Sequence, residues 1–298
     1  MRMKLLLLIA ALSFLPPAAH AADIHDAAKK GDIAGLTAAL DAGTDVNASN
    51  ELATPLYYAV DGAHLEAVKL LIERGANVNL AAKWGPPIIA AAESGKPEIL
   101  RLLLDSGADA AAVFKGQTVL HIAAGKGCLD CVMALVEKGA DVNALTSLRL
   151  PPVHFAKSKG HEAVADYLLS HGYTFPAPPP VAPRLAAADS AKGETVFTKA
   201  CRQCHYSKPA SGKFVGPSLW NIVGRTRGTI EGYKYSGALR AAGGDWSYEN
   251  LNIFISDPAR ALPGTDMISA GVQDDTERAN LIAYLRTRSD IPLPLPEN

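Results

Sequence analysis

The feature that most constrains the fold is a spacing of 32 residues that recurs through the first half of the chain. One series of positions at this spacing, 33 in its last step, is Gly43, Gly75, Gly107, Gly139 and Gly172. A second series runs in parallel through Gly31, Ala63, Gly95, Gly127 and Gly160. A fixed period of this size is typical of a solenoid, in which each unit packs only against its neighbours. The spacing therefore predicts about five stacked units between residues 22 and 173.

Within each unit the sequence predicts a pair of helices. Residues 64–75 place Leu65, Val68 and Leu71 three residues apart, so these side chains share one helical face. Gly75 then ends the segment, because glycine readily adopts the left-handed conformation that caps a helix. Asp/Asn-rich tails after each such glycine indicate turns. The fold class expected for this half is all-α.

The helix pairs begin with a recognisable motif in several units. Residues 54–59 read TPLYYA and residues 118–123 read TVLHIA, while residues 151–156 are a looser copy, PPVHFA. This half of the chain resembles ankyrin repeats, whose signature is T-P-L-H-x-A. The resemblance implies a concave surface that binds other proteins and carries no chemistry. In the fourth place of the motif, His121 and His154 are expected to form hydrogen bonds within their own repeats.

A proline-rich segment at residues 174–187 follows the repeats. Five prolines fall within residues 176–183, which favours an extended, semi-rigid chain. We expect this segment to be a spacer that keeps the two halves of the protein apart.

The strongest motif of the second half is Cys201-Arg202-Gln203-Cys204-His205. C-x-x-C-H is the attachment site of c-type haem. The two thiols add to the vinyl groups of the porphyrin, and the adjacent imidazole is then held at the iron. The motif predicts one covalently attached haem c with His205 as an iron ligand.

Met267 is the candidate for the second axial ligand. It follows Pro263 and Gly264, which favour a turn that directs the thioether back toward the haem. The other methionines lie near the amino terminus or in a repeat helix. A His/Met pair raises the reduction potential and leaves no axial position for a substrate.

Residues before and after the motif also occur where a known family has them. They are Gly193, Phe197, residues 216–219, Leu281, Ile282 and Leu285. Residues 190–289 thereby resemble a class I cytochrome c of the mitochondrial type. We assign residues 188–290 to this small helical domain and residues 291–298 to a tail.

The resemblance to cytochrome c implies roles for other residues. The Pro217 carbonyl would accept a hydrogen bond from His205 and fix its ring. Gly193 would let the last helix cross the first at close range. Haem-propionate contacts are implied for Arg225, Tyr235 and Trp246.

A second C-x-x-C pair, Cys128 and Cys131, has Val132 where a haem motif would have histidine. The pair is interpreted as structural thiols or a structural disulfide, with a redox role as the alternative. The sequence leaves this choice open.

Residues 1–21 have the pattern of a signal peptide. Arg2 and Lys4 precede the apolar residues 5–15, and residues 19–21 read AHA, which fits a cleavage site. The apolar run is too short to span a bilayer, which takes about 20 residues. This segment predicts export to the periplasm, with no transmembrane segment in the mature chain.

Together these patterns predict a protein that carries one electron at a time and is not an enzyme. Its ankyrin repeats would dock it to a protein partner, and its haem would serve redox partner proteins. The chain has 29 Lys and Arg against 30 Asp and Glu, which excludes nucleic-acid binding through bulk charge. Two alternatives remain: an electron-feeding subunit of a periplasmic peroxidase or dehydrogenase, or a haem redox or gas sensor on an ankyrin scaffold.

Overall fold

The computed structural model describes residues 23–209 and 215–296. Within these ranges the buried apolar residues form two separate cores, one in the repeats and one in the second half of the chain. The expected signal peptide lies outside the described residues and stays a prediction.

Five helix pairs make up the first half. The pairs are α1 (Ile24–Lys30) with α2 (Ile33–Asp41), α3 (Pro55–Asp61) with α4 (Leu65–Glu73), α5 (Pro87–Ser94) with α6 (Pro97–Asp105), α7 (Val119–Lys126) with α8 (Leu129–Glu137), and α9 (Pro152–Ser158) with α10 (Glu162–Ser170). Gly43, Gly75, Gly107 and Gly139, just past the second helix of their pairs, have φ between 86° and 89°, as a left-handed cap requires.

Asparagine side chains in three of the turns join their repeat to a later part of the chain. Asn47 Oδ1 accepts a hydrogen bond from the Asn77 backbone N–H at 2.7 Å, and Asn79 Oδ1 accepts one from the Asp109 N–H at 2.9 Å. Asn143 repeats the pattern toward Thr174 at 2.8 Å. These asparagines therefore also satisfy backbone donors, two in the following repeat and one at the start of the proline-rich segment.

The second half is a smaller helical domain. Its helices are α12 (Ser190–Ala200), α13 (Gly237–Ala242), α14 (Tyr248–Ser256), α15 (Pro258–Ala261) and α16 (Asp275–Thr287), preceded by the one-turn α11 (Ala182–Leu185). Helices α12 and α16 pack directly against each other. The all-α fold class is confirmed. The described residues add a short antiparallel hairpin of two strands with two residues each, β1 (Val113–Phe114) and β2 (Gln117–Thr118).

The proline-rich segment differs from the expected free spacer. Val181 and Leu185 are buried in the core of the second domain, and the Val181 and Ala182 N–H groups donate to the Glu249 carboxylate on α14. Prolines rule out helix over most of this segment, but they also place apolar rings and free carbonyls on its surface. It therefore packs along α14, and the last repeat contacts the second domain.

None of the helices that the structure describes is long and apolar enough to cross a membrane.

Candidate haem site

The C-x-x-C-H motif lies on a tight turn that continues α12. The Asp189 side chain caps the start of this helix. At its end, the Cys201 N–H donates to the Phe197 carbonyl at 2.9 Å and the His205 N–H donates to the Cys201 carbonyl at 2.9 Å. Cys201 and Cys204 are free thiols, and burial raises the pKa of the Cys201 thiol to about 11. The turn therefore presents two unbonded sulfur atoms, as thioether formation needs.

The His205 ring is held in one orientation by the backbone. Its Nδ1 lies 2.8 Å from the carbonyl oxygen of Pro217, so Nδ1 carries the proton and donates it to this carbonyl. Burial lowers the pKa of His205, and the bond to Pro217 opposes that shift. A neutral ring with Nδ1 occupied leaves the Nε2 lone pair as the donor for a metal. This is the contact that the resemblance implies.

Met267 reaches the same cavity from the segment 262–267, which we call the methionine loop. The Thr265 N–H donates to the Leu262 carbonyl at 3.1 Å, which closes a turn, and the Met267 N–H lies 3.2 Å from Thr265 Oγ1. Met267 is half-buried and lines the cavity together with Cys201, Cys204 and His205. The loop thus supplies a thioether to the site that holds the imidazole.

Arg225, Tyr235 and Trp246 also line this cavity. Backbone carbonyls of Trp220 and Ser218 accept from the Arg225 guanidinium at 2.8 and 3.1 Å. The Trp246 backbone N–H donates to the Arg225 backbone carbonyl at 2.9 Å. Burial lowers the pKa of Arg225 and raises that of Tyr235. A buried cation and two polar aromatic side chains are suited to the carboxylates of an otherwise apolar ligand.

The cavity fits a covalently attached haem. Its volume is about 370 Å³, within the range of small-molecule and cofactor sites. Two thiols, one imidazole nitrogen and one thioether are the donors that a c-type haem uses. Apolar side chains form much of the remaining wall: Leu219, Ile222, Leu251, Ile255, Leu281 and Leu285.

Comparison with known proteins identifies the family of the second half. Residues 190–289 match the cytochrome c family. A cytochrome c homolog of Bradyrhizobium diazoefficiens is 36% identical over 159 residues, 52% of this chain and 83% of the relative. The chain belongs to the cytochrome c family. Residues 24–113 and 88–178 match ankyrin repeats, so this cytochrome c carries a repeat domain ahead of its haem domain.

Two further relatives match within the cytochrome c part. Cytochrome c2 of Blastochloris viridis is 46% identical over 106 residues, 36% of this chain and 82% of the relative. Cytochrome c 2.1 of Caenorhabditis briggsae is 38% identical over 109 residues, 37% of this chain and 96% of the relative. The cytochrome c domain carries a covalently bound c-type haem, and the ankyrin repeats indicate protein binding.

Sequence reasoning missed two features of the cytochrome c and its surroundings. Leu251 and Ile255 of α14 line the cavity; their spacing of four residues is a helical stripe that could have indicated a buried face. His154 was expected to form hydrogen bonds inside its own repeat, but it accepts a hydrogen bond from Gly264 of the methionine loop at 3.2 Å. Nothing in the sequence around His154 indicates that contact.

The second C-x-x-C pair lies in the repeats, away from the haem cavity. Cys128 and Cys131 form a disulfide in the structure, one of the alternatives that the sequence left open.

Proposed function

We propose that this cytochrome c is an exported electron carrier with one haem, and that its ankyrin repeats dock it to a protein partner in the periplasm. The observation that carries the proposal is the cavity that joins the free thiols of Cys201 and Cys204 to the imidazole of His205 and the thioether of Met267.

The haem supplies one-electron chemistry when bound. The chain's own residues would restrict it to that chemistry, because His205 and Met267 would hold the iron and leave no position for a substrate. Pro217 holds the His205 ring by its Nδ1, and the apolar wall keeps water from the site. Arg225, Tyr235 and Trp246 receive the propionates in this proposal. The protein then makes no substrate bonds, unlike a peroxidase or a dehydrogenase.

The ankyrin repeats give the carrier a second, non-chemical task. Repeat stacks of this kind present an extended binding surface. Binding a donor or acceptor there raises the local concentration of the haem near its redox partner without any new contact at the haem. Export follows from the basic start, apolar run and AHA site of residues 1–21.

Covalent attachment is tested by removing the thiols. We expect the double variant Cys201→Ala, Cys204→Ala to carry no haem after denaturing electrophoresis, because no thioether can form. A haem stain of the gel measures this. The matched control is Cys128→Ala, Cys131→Ala, which removes the other C-x-x-C pair and is expected to keep its haem. Haem retained by the Cys201, Cys204 variant would contradict the proposal.

Axial ligation separates the carrier from the two alternatives. We expect the wild-type ferrous protein to bind no carbon monoxide at neutral pH, because Met267 would hold the second position on the iron. Met267→Ala should bind the gas. Absorption spectra before and after addition of the gas measure this. Rapid binding by the wild type would favour a sensor, and rapid reaction of the ferric protein with hydrogen peroxide would favour a peroxidase role.

Export is tested by deleting the predicted signal peptide. We expect haem-bearing protein in the periplasmic fraction and haem-free protein in the cytoplasm when residues 2–21 are deleted. Haem attachment in the cytoplasm without this segment would contradict the export proposal.

A further inference from the structure

The methionine loop lies between the two domains. Gly264 and Thr265 are buried, although a loop beside a haem cavity could have faced solvent. A Cβ atom at Gly264 would come within 2.7 Å of the Lys157 Cβ on α9 and 3.3 Å of the Ala238 Cβ on α13. The last ankyrin repeat therefore packs directly on the loop that carries Met267.

A hydrogen bond fixes this contact. The Gly264 backbone N–H donates to His154 Nδ1 at 3.2 Å, and His154 is only 4% exposed. A neutral ring with its proton on Nε2 is the form that can accept this bond. Burial lowers the pKa of His154 and so favours this neutral form.

The equivalent histidine of the preceding repeat shows why His154 is available. His121 Nδ1 is occupied by Thr118, at 2.7 Å from the hydroxyl and 3.1 Å from the backbone N–H. In the last repeat Pro151 replaces that threonine, and proline has neither a hydroxyl nor a backbone N–H. His154 Nδ1 therefore has no such partner in its own repeat, and it accepts from the cytochrome c domain.

Two further contacts hold the segment just before the methionine loop. Asp257 Oδ2 accepts from Arg149 Nε at 3.0 Å and Nη2 at 2.8 Å, and the Asp257 side chain is 4% exposed. Tyr173 donates its hydroxyl to the Arg260 carbonyl at 2.7 Å. Residues at both ends of the last repeat thus bind the segment 257–260, while His154 binds Gly264.

We propose that the last ankyrin repeat clamps the methionine loop, and that His154 is a positioning residue that keeps Met267 at the iron. The clamp rests on the proposed function, since it requires Met267 to be the axial ligand. Opening the loop moves Met267 away from the haem and must break the bond between His154 and Gly264. Without that bond the open form of the loop is no longer disfavoured by one buried hydrogen bond. Its population should therefore rise about five- to tenfold.

The test is the rate at which cyanide binds to the ferric holoprotein, because cyanide can bind only after Met267 leaves. We expect His154→Ala to raise this rate about five- to tenfold. His154→Asn should lie near the wild type, since its amide oxygen is placed close to the position of Nδ1 and can accept the same bond. The matched control is His121→Ala, which removes the same motif residue one repeat away and should leave the rate unchanged.

A second variant covers the case in which His154→Ala fails to fold. Arg149→Gln weakens the bond to Asp257 without touching the methionine loop, and it should also raise the cyanide rate. Amide hydrogen exchange at Gly264 gives a readout independent of ligand binding: it should quicken in His154→Ala and in Arg149→Gln, but not in His121→Ala.

The outcomes separate the clamp from the proposed function. Wild-type and Met267→Ala proteins that bind cyanide equally fast would show that Met267 is not a ligand, which overturns both proposals. Slow cyanide binding by the wild type, unchanged in His154→Ala and Arg149→Gln, would overturn the clamp alone.

Discussion

At the scale of single residues, Arg278 shows how the structure satisfies a buried charge. Its side chain is 1% exposed, and its guanidinium donates to Asn252 Oδ1 at 2.7 Å and to the Val272 carbonyl at 2.8 Å. The Asp275 carboxylate pairs with the same group. Arg278 thereby joins α14 and α16 to the chain just after the methionine loop, since a buried cation is tolerated only when its donors are used.

We expect Arg278→Met to lower the free energy of unfolding by about 2–4 kcal/mol, because it leaves the Asn252 and Val272 oxygens without donors. Urea unfolding followed by circular dichroism measures this. Arg286→Met on the same helix is the control: its bond to the Leu293 carbonyl lies at the surface, so its cost should stay below about 1 kcal/mol. Equal losses in the two variants would contradict the argument.

At the scale of helices, the crossing of α12 and α16 positions the haem-binding turn. A Cβ atom at Gly193 would lie 1.9 Å from the Asn280 carbonyl oxygen and 2.7 Å from the Tyr284 Cβ. The rings of Phe197 and Tyr284 lie 5.4 Å apart across the crossing. The expectation that Gly193 permits a close approach of the last helix is confirmed. The crossing fixes α12, and α12 ends at the turn that presents Cys201.

Gly193→Ala should therefore destabilise the haem domain by about 1–3 kcal/mol or more, as overpacking of backbone against backbone does. The melting temperature of the holoprotein should fall accordingly. Gly237→Ala is the matched control, because no atom lies within 4 Å of a Cβ there, and its melting temperature should stay near that of the wild type. A Gly193→Ala protein as stable as this control would show that the helices can separate without cost.

At the scale of the whole molecule, the two domains are joined by more than the chain. Residues 149–175 of the repeat side bind residues 257–264 of the haem domain through the contacts of Arg149, His154 and Tyr173. The interface includes charged and aromatic groups, with Arg260 placed over the Phe175 ring at 6.0 Å. A direct contact thus joins the last repeat to the segment of the haem domain that leads to Met267.

The stability of the whole molecule should fall as the pH falls below about 6.5. Burial lowers the pKa of His121 and of His154 from the ordinary value of 6.5. The backbone of Leu150 and Ala144 and then the Asp141 carboxylate oppose this shift at His121, and the Asp266 carboxylate opposes it at His154. The unfolded chain then binds protons that the folded chain does not. The two neutral histidines contribute fully to the free energy of unfolding above pH 6.5. This contribution is lost as the pH falls toward their pKa values in the folded protein, by at most about 1.4 kcal/mol per pH unit for each histidine.

Unfolding free energies measured between pH 7.5 and pH 5 check this sign. The double variant His121→Asn, His154→Asn should show a flatter dependence, because neither side chain then titrates. An equally steep dependence in this variant would assign the loss to other groups.

Much of the fold and of the site was predictable because the patterns that indicate them lie within short segments of the chain. The repeat spacing and the glycine caps are properties of short segments, and the C-x-x-C-H motif places both thiols and the imidazole within five residues. Met267 was predicted from the turn that precedes it, and Pro217 and Arg225 from the resemblance to cytochrome c. The structure brings all three to one cavity. The apolar wall from α14 was not predicted, because a helical stripe alone does not show which face meets a cavity.

The sequence by itself determined the repeat solenoid, the all-α class and the covalent attachment of the haem, since periodic patterns and adjacent ligands act over short stretches of chain. Only the tertiary structure decided that the proline-rich segment packs on α14 and that the last repeat meets the methionine loop. The residues of that contact, His154 and Gly264, lie 110 positions apart. Their hydrogen bond depends on how two separately folded cores dock, and no short pattern in the chain records that arrangement.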